Sequence, residues 1–311
     1  MPKLGVHNAK ISHVLTTPNK TRKTMLDAIR KDCSELELDA GQIFVSGPQS
    51  TKMNPMDYDE IKAYCDDKKI NLYVHSNYMS VGIFNVNNDN KETPKAIAAI
   101  KNIVSQMEAC DKLDSSGFVI HLSKKTPELI VETLKVLYKS IKKFKTMILL
   151  EQPAKKPDGE LTYETAEKIN NLSQLILDTI PQLNWGWCLD TMHLYSGGIE
   201  LDNYKIVKRW FNDLKYPKYI KLFHLNGGSI KQFNTGKDIH IIPFAPDDDI
   251  FSDAVYNDDG EQEFNIKQIK KESIWVIASF AKKYNIDLIM EINRGHFSNI
   301  KFAVETLKKI I

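Results

Sequence analysis

The chain has 311 residues, of which 42% are hydrophobic and 26% charged, the balance of an ordinary globular protein able to bury a sizeable core. No apolar run approaches the roughly 18 residues needed to span a bilayer, and the opening MPKLGVHNAK lacks the apolar stretch of a signal peptide. A formal net charge of +2 does not announce a nucleic-acid binder, so any such affinity must come from a local patch.

Taken in chain order, short apolar runs alternate with longer helical patterns. The strand candidates are a first run near Leu4–Val14, then Gln42–Ser46, Asn71–Ser76, Phe118–Ser123, Met147–Gln152, Gly186–Asp190, Tyr219–Leu225 and Leu288–Ile292. They are nearly continuous in hydrophobicity, as parallel strands covered on both faces should be. Between them, Pro127–Phe144 repeats Ile130, Leu134, Leu137 and Ile141 on one helical face, and Thr162–Ile180 and Glu263–Lys283 behave similarly. Eight βα repeats with right-handed crossovers predict a closed (β/α)₈ TIM barrel, with residues 1–311 as one domain. The alternative, a doubly wound open sheet, usually carries a glycine-rich phosphate loop, and neither GxGxxG nor GxxxxGK[ST] occurs. The long irregular stretch Asn226–Asn265 is expected to be functional. Cys33, Cys65, Cys110 and Cys188 form no CxxC pair and read as reduced buried thiols of an intracellular protein, not as disulfides or a thiolate zinc site.

The strand ends carry the chemistry. His75, His121, Glu151, Asp190, His224 and Glu291 each close an apolar run, His193 follows Asp190 by three residues, and Asp238 and His240 lie in the long loop. In a barrel all C-terminal strand ends meet at one mouth. Singly, such a histidine is usually a hydrogen-bonded rim residue and such a carboxylate a helix cap. Jointly, four carboxylates in one mouth would repel one another unless cations bind. Imidazole plus carboxylate without thiolate favours zinc, with manganese or iron as substitutes, over magnesium or calcium. The set is too large for one tetrahedral ion, so two or three ions must share it. Three would bring about +6 against −4 from the carboxylates, a net charge that attracts phosphate. Such a cluster can activate water against a phosphodiester.

The motifs VHSNY (74–78), IHL (120–122), LLEQPA (149–154), CLDTMHLYSGG (188–198), FHLN (223–226), DIH (238–240) and MEIN (290–293) follow one another in an order and spacing that resemble the endonuclease IV family of apurinic/apyrimidinic endonucleases, in the short form found in large DNA viruses. The resemblance runs over nearly the whole chain. It implies three zinc ions: one on His75, His121 and Glu151; a second sharing Glu151 with Asp190, His224 and Glu291; a third on His193, Asp238 and His240. It further implies cleavage 5′ to abasic sites to leave a 3′-hydroxyl, trimming of blocked 3′ ends, and Glu151 as the central catalytic group. The partner implied is double-stranded DNA with abasic or 3′-blocked lesions, handled by a monomer inside the cell or a viral factory, with no membrane role. Tyr78 matches the family's wedge into the gap left by the flipped nucleotide, with Met79 beside it. Asn226, Lys124 and Lys237 are the further expected DNA contacts, and Lys125, Lys155 and Lys156 could extend a basic track.

Departures are visible too. Ile239 stands where the family has a phosphate-contacting arginine, Gly227 replaces an acidic residue, and Ser123-Lys124-Lys125 replaces a Pro-Gly turn. The first-strand histidine is His13 or His7, with His13 preferred as a residue behind the ligands, and His296 is expected to pack or cap the last helix. Two rivals remain: a metal-dependent sugar isomerase or epimerase on a related barrel, which leaves His193, Asp238 and His240 unexplained, and a non-catalytic DNA-binding barrel, which should have lost ligands.

Overall fold

Eight parallel strands pair in sequence order and the last returns to the first, closing the sheet into a barrel. The structure is a computed structural model, described over residues 1–8, 23–84, 93–154, 162–256, 259–291 and 297–311. The strands are β1 (Leu4–His7), β2 (Ala40–Ile43), β3 (Asn71–His75), β4 (Gly117–His121), β5 (Ile148–Glu151), β6 (Trp185–Asp190), β7 (Ile220–His224) and β8 (Asp287–Met290). Between the first six run helices α1 (Met25–Glu35), α2 (Tyr58–Lys68), α3 (Pro94–Leu113), α4 (Pro127–Ile141) and α5 (Ala166–Thr179). Short α6 (Thr191–Ser196) and α7 (Tyr204–Asn212) follow β6, α8 (Ile266–Ile269) and α9 (Ser273–Tyr284) precede β8, and α10 (Phe297–Lys308) comes last.

Local chemistry starts these helices where they start. Thr24, Asp57, Thr93, Thr126, Thr165 and Asn203 each stand extended before a helix and accept a main-chain N–H of its first turn. Pro94 and Pro127 occupy the first helical position, where the missing N–H costs nothing. In α4 the stripe Ile130, Leu134, Leu137 and Ile141 is buried against the sheet, as its spacing predicts.

Several expected boundaries shift. β2 pairs over Ala40–Ile43, two residues before the expected run, because Val45 and Ser46 have already left the sheet: Val45 O accepts from Asn54 N–H at 2.8 Å and Ser46 pairs with Met53. The helical pattern Glu263–Lys283 is divided, since Glu272 is extended (φ −100°, ψ 160°) and restarts the chain as α9. The expected run Leu4–Val14 forms β1 only over Leu4–His7; its later part, and Ile292 of the last run, lie outside the described residues.

Side-chain parity then decides what faces the barrel axis. Tyr73, Val119, Leu149, Cys188, Leu222 and Ile289 form one buried cluster with Ala40, separate from the larger core under the helices. Each of those six lies two residues before an expected metal ligand. With a side-chain period of two, the layer above them must point the same way. An apolar floor and a polar mouth therefore alternate along the same strands.

Candidate metal centre

The ligand atoms gather in three overlapping groups, each with members within 4.8 Å of one another: His75, His121 and Glu151; Glu151, Asp190, His224 and Glu291; and Asp190, His193 and His240. In the first, His75 Nε2 lies 3.1 Å from His121 Nε2, and Glu151 Oε2 lies 3.2 and 3.1 Å from the two. In the second, His224 Nδ1 is 3.1 Å from Glu151 Oε1, 3.2 Å from Glu291 Oε2 and 3.8 Å from Asp190 Oδ2. In the third, Asp238 Oδ1 lies 2.8 Å from His240 Nε2 and 3.4 Å from His193 Nε2, while His240 Nε2 is 3.6 Å from Asp190 Oδ2. A tetrahedron with bonds of about 2.0–2.1 Å has edges of about 3.3–3.4 Å, so these spacings suit a small divalent ion in each pocket. Glu151 and Asp190 belong to two groups each, placed to share charge between neighbours.

The main chain and nearby amides choose which nitrogen each imidazole presents. His75 Nδ1 donates to Ser76 O at 2.7 Å, His193 Nδ1 to Gln152 O at 2.7 Å, and His240 Nδ1 to Glu291 O at 3.2 Å. Each leaves Nε2 facing a pocket. His224 is reversed: Nε2 donates to Gln42 Oε1 at 2.9 Å and Nδ1 faces the second group. His193 Nε2 and His240 Nε2 are buried and make no well-directed hydrogen bond, with the single Asp238 Oδ1 near both, an expensive state unless something else takes the lone pairs. That is the strongest internal sign that the donor set fits a metal.

Electrostatics points the same way. Burial alone would lower the pKa of His193, but Asp190, Asp238 and Glu151 overrule it and raise it to about 10. His240 rises likewise to about 9, through Asp190, Asp238 and Glu291. Burial opposes ionisation of Asp238, yet the adjacent His193 and His240 rings hold it well below the carboxylate range. Glu151 is also depressed, by His121 and His224 against its complete burial. The mouth demands positive charge, and without metal the histidines must provide it as protons.

Two of the carboxylates are oriented from behind. Asp190 Oδ1 accepts from His193 N–H at 3.0 Å, capping α6, and its Oδ2 accepts from Asn226 Nδ2 at 2.7 Å. Glu291, one residue past β8, donates its N–H to Asn226 Oδ1 at 2.8 Å, and its Oε1 accepts from Gln42 Nε2 at 2.7 Å.

These contacts revise one expectation and bear on another. Asn226, expected to touch DNA, is fully buried with both ends of its amide spent on Asp190 and Glu291, so it orients those two residues. Of the two candidate first-strand histidines, His7 ends β1 at the mouth, with Nδ1 3.1 Å from Gln42 Nε2 and 3.7 Å from Glu291 Oε1, and His13, the preferred choice, lies outside the described residues. His296, Lys155 and Lys156 also lie outside them.

The other expected contacts sit at the rim. Tyr78 is 51% exposed and Met79 47%, on the turn after β3, with the Tyr78 ring 5.9 Å from that of His121. Lys124 and Lys237 are exposed, and Ile239 is 57% exposed between two expected ligands.

Sequence reasoning passed over Gln42, which touches His7, His224 and Glu291. Its signal was a polar side chain inside the buried strand Ala-Gly-Gln-Ile. Cys188, expected as a reduced buried thiol, has its sulfur grouped with Glu151 and His224. Burial pushes that thiol up to about 12, so it stays protonated in the floor. All four cysteines are free and buried, and no helix among the described residues is long and apolar enough to cross a membrane.

Comparison with known proteins places this geometry. The pattern of the xylose isomerase-like TIM barrel family matches residues 30–245. A "Probable AP endonuclease" of African swine fever virus (isolate Tick/Malawi/Lil 20-1/1983) is 26% identical over 287 residues, 88% of this chain and 86% of the viral one. A "Probable endonuclease 4" of Nitrosopumilus maritimus is 25% identical over 306 residues, 91% of this chain and 94% of its own. Among solved structures, AsfvAP:AG superposes with a TM-score of 0.79 at 22% identity, covering 99% of each chain. A D-tagatose 3-epimerase-like protein shares the fold more loosely, with a TM-score of 0.58 at 16% identity over 99% of this chain and 96% of that one.

Proposed function

Because the chain belongs to the xylose isomerase-like TIM barrel family, whose fold alone does not select a chemistry, we propose from its site that it is a zinc-dependent DNA-repair endonuclease. Acting as a monomeric domain of residues 1–311 inside the cell, it cuts the phosphodiester 5′ to an abasic site, leaves a 3′-hydroxyl and trims blocked 3′ ends. The relatives named "Probable AP endonuclease" and "Probable endonuclease 4", similar over most of their length, support the nuclease reading.

The observation that carries it is the third group. His193, Asp238 and His240 converge beside two groups joined through Glu151, with Asp190 linking them to the second of these. A sugar epimerase, which works with a smaller ligand set, has no use for that addition.

His75, His121 and Glu151 would hold one ion; Glu151, Asp190, His224 and Glu291 a second; His193, Asp238 and His240 a third. Manganese or iron would satisfy the same donors. When bound, the ions supply Lewis acidity toward a phosphodiester and acidify water. The chain's own part is to position and to exclude. Glu151, wholly buried among His75, His121, His193 and His224, is the carboxylate on which the first two groups depend. Tyr78 and Met79 offer exposed apolar surface at the lip, suited to filling the gap left when an abasic nucleotide swings out. Exposed Lys124 and Lys237 are placed to meet phosphates.

The deciding experiment incubates the protein with a duplex carrying one abasic analogue, with and without chelator, and maps the cut. Incision immediately 5′ to the lesion, lost on chelation and restored by zinc, is expected. A fully folded protein that contains one or two manganese ions and leaves the duplex intact would favour the epimerase.

A further inference from the structure

The loop after β7 brings Asp238 and His240 back to the barrel mouth, and something must fix where they stand. Gly227 pairs with Ile241, directly after His240, through hydrogen bonds of 2.9 and 3.1 Å. The excursion 228–240 is thereby closed at its base. A Cβ added to Gly227 would lie 2.5 Å from Cγ and 2.5 Å from Oδ1 of Asp248. No side chain fits there, because the Asp248 carboxylate already fills the space.

Asp248 is completely buried. Its Oδ1 accepts from Gly228 N–H at 3.1 Å and Ile250 N–H at 3.0 Å, and its Oδ2 from Phe244 N–H at 2.8 Å. It grips both flanks of the excursion at once. Phe244 provides a separate observation. It is wholly buried at φ +66°, a left-handed conformation that a bulky residue avoids unless its surroundings impose it. Asp248 holds its N–H, and Gln262 Nε2 donates to its carbonyl at 2.8 Å.

We propose that Asp248 is a positioning residue for the His193/Asp238/His240 group: a carboxylate delivered from the far end of the loop into the side-chain space of residue 227, where it locks the excursion carrying two of the three ligands. The inference rests on the metal reading above for its consequence, though not for its geometry. It makes a specific demand. One bond beyond a Cβ at residue 227 lies the same nest of amides, so the carboxylate should work equally well from either position.

The test uses the full chain as the parent, Asp248→Ala, and the double variant Gly227→Asp/Asp248→Gly. Amide hydrogen exchange across 228–244 is followed alongside zinc content after dialysis against a competing chelator. Removing this carboxylate leaves the buried N–H groups of Gly228, Phe244 and Ile250 without their acceptor, so Asp248→Ala should speed exchange in 228–244 by roughly tenfold to a hundredfold while the barrel strands stay protected. It should also lose about one zinc per chain relative to the parent. The double variant should restore both. Unchanged exchange in Asp248→Ala overturns the proposal, and so does a folded double variant that exchanges as fast as Asp248→Ala. If Asp248→Ala does not fold, the double variant alone decides: parent-like exchange supports the role, and fast exchange or failure to fold refutes it. A parent that binds no zinc sinks the proposed function, while the exchange comparison still judges Asp248.

Discussion

Asn226→Ala removes two buried hydrogen bonds from behind the ligands in one step. The lost bond to the Asp190 carboxylate, 2.7 Å long, is of the charge-assisted kind that contributes roughly 1.5–3 kcal/mol. The Glu291 N–H, now bonded at 2.8 Å, would be left unsatisfied at a cost of roughly 1–3 kcal/mol. Together the metal-free protein should lose roughly 2.5–6 kcal/mol. At about 2–4 °C per kcal/mol for a domain of this size, its thermal midpoint should fall on the order of 5–24 °C. Because Asp190 and Glu291 then lose their common orienter, zinc affinity should weaken roughly 10- to 100-fold. Thermal melts in chelator and zinc competition against a coloured indicator read the two effects separately. A midpoint within about 2 °C of the parent, with unchanged zinc affinity, would refute the positioning argument. A variant that instead lost only DNA affinity, with a shallower salt dependence, would return Asn226 to the DNA interface.

Glu151→Gln should abolish incision while preserving the circular-dichroism spectrum, since it removes the charge shared between two ion sites but keeps the shape; residual cutting near the parental rate would contradict that role. Ile239→Arg should add one phosphate contact, steepening the slope of log affinity against log salt by about 0.9, whereas Ile239→Ser should leave the slope alone. The metal-free protein should lose stability as pH rises from about 6.5 toward about 10, because His193 and His240 have folded-state pKa values raised to about 10 and about 9. Their contribution is complete below the unfolded value and vanishes as the folded protein deprotonates. Zinc needs the deprotonated rings, so its added stabilisation should grow through the same window. Melts with and without chelator between pH 6 and 10 test this, and a flat chelated curve would count against it.

Much of the barrel, and which residues gather at its mouth, was legible without coordinates. Strands covered on both faces become continuous apolar runs, so a lone His75, His121, Glu151 or His224 at the end of such a run stands out, and the two-residue period fixes that it shares a face with the apolar residue two before it. Asp190 and His193 are similarly tied, three residues apart across a helix cap. Periodicity describes direction along one element, however, and says nothing of what lies across the barrel. That Gln42 reaches both His224 and Glu291, that His7 faces Glu291, and that Asn226 lies beneath the ligands instead of on the rim depended on closure of the sheet. The glycine at 227, read along the chain as a missing acid, acquires its meaning only in space. The loop folds back and Asp248 stands where a side chain would have been, a contact made by tertiary packing between residues that no local pattern connects.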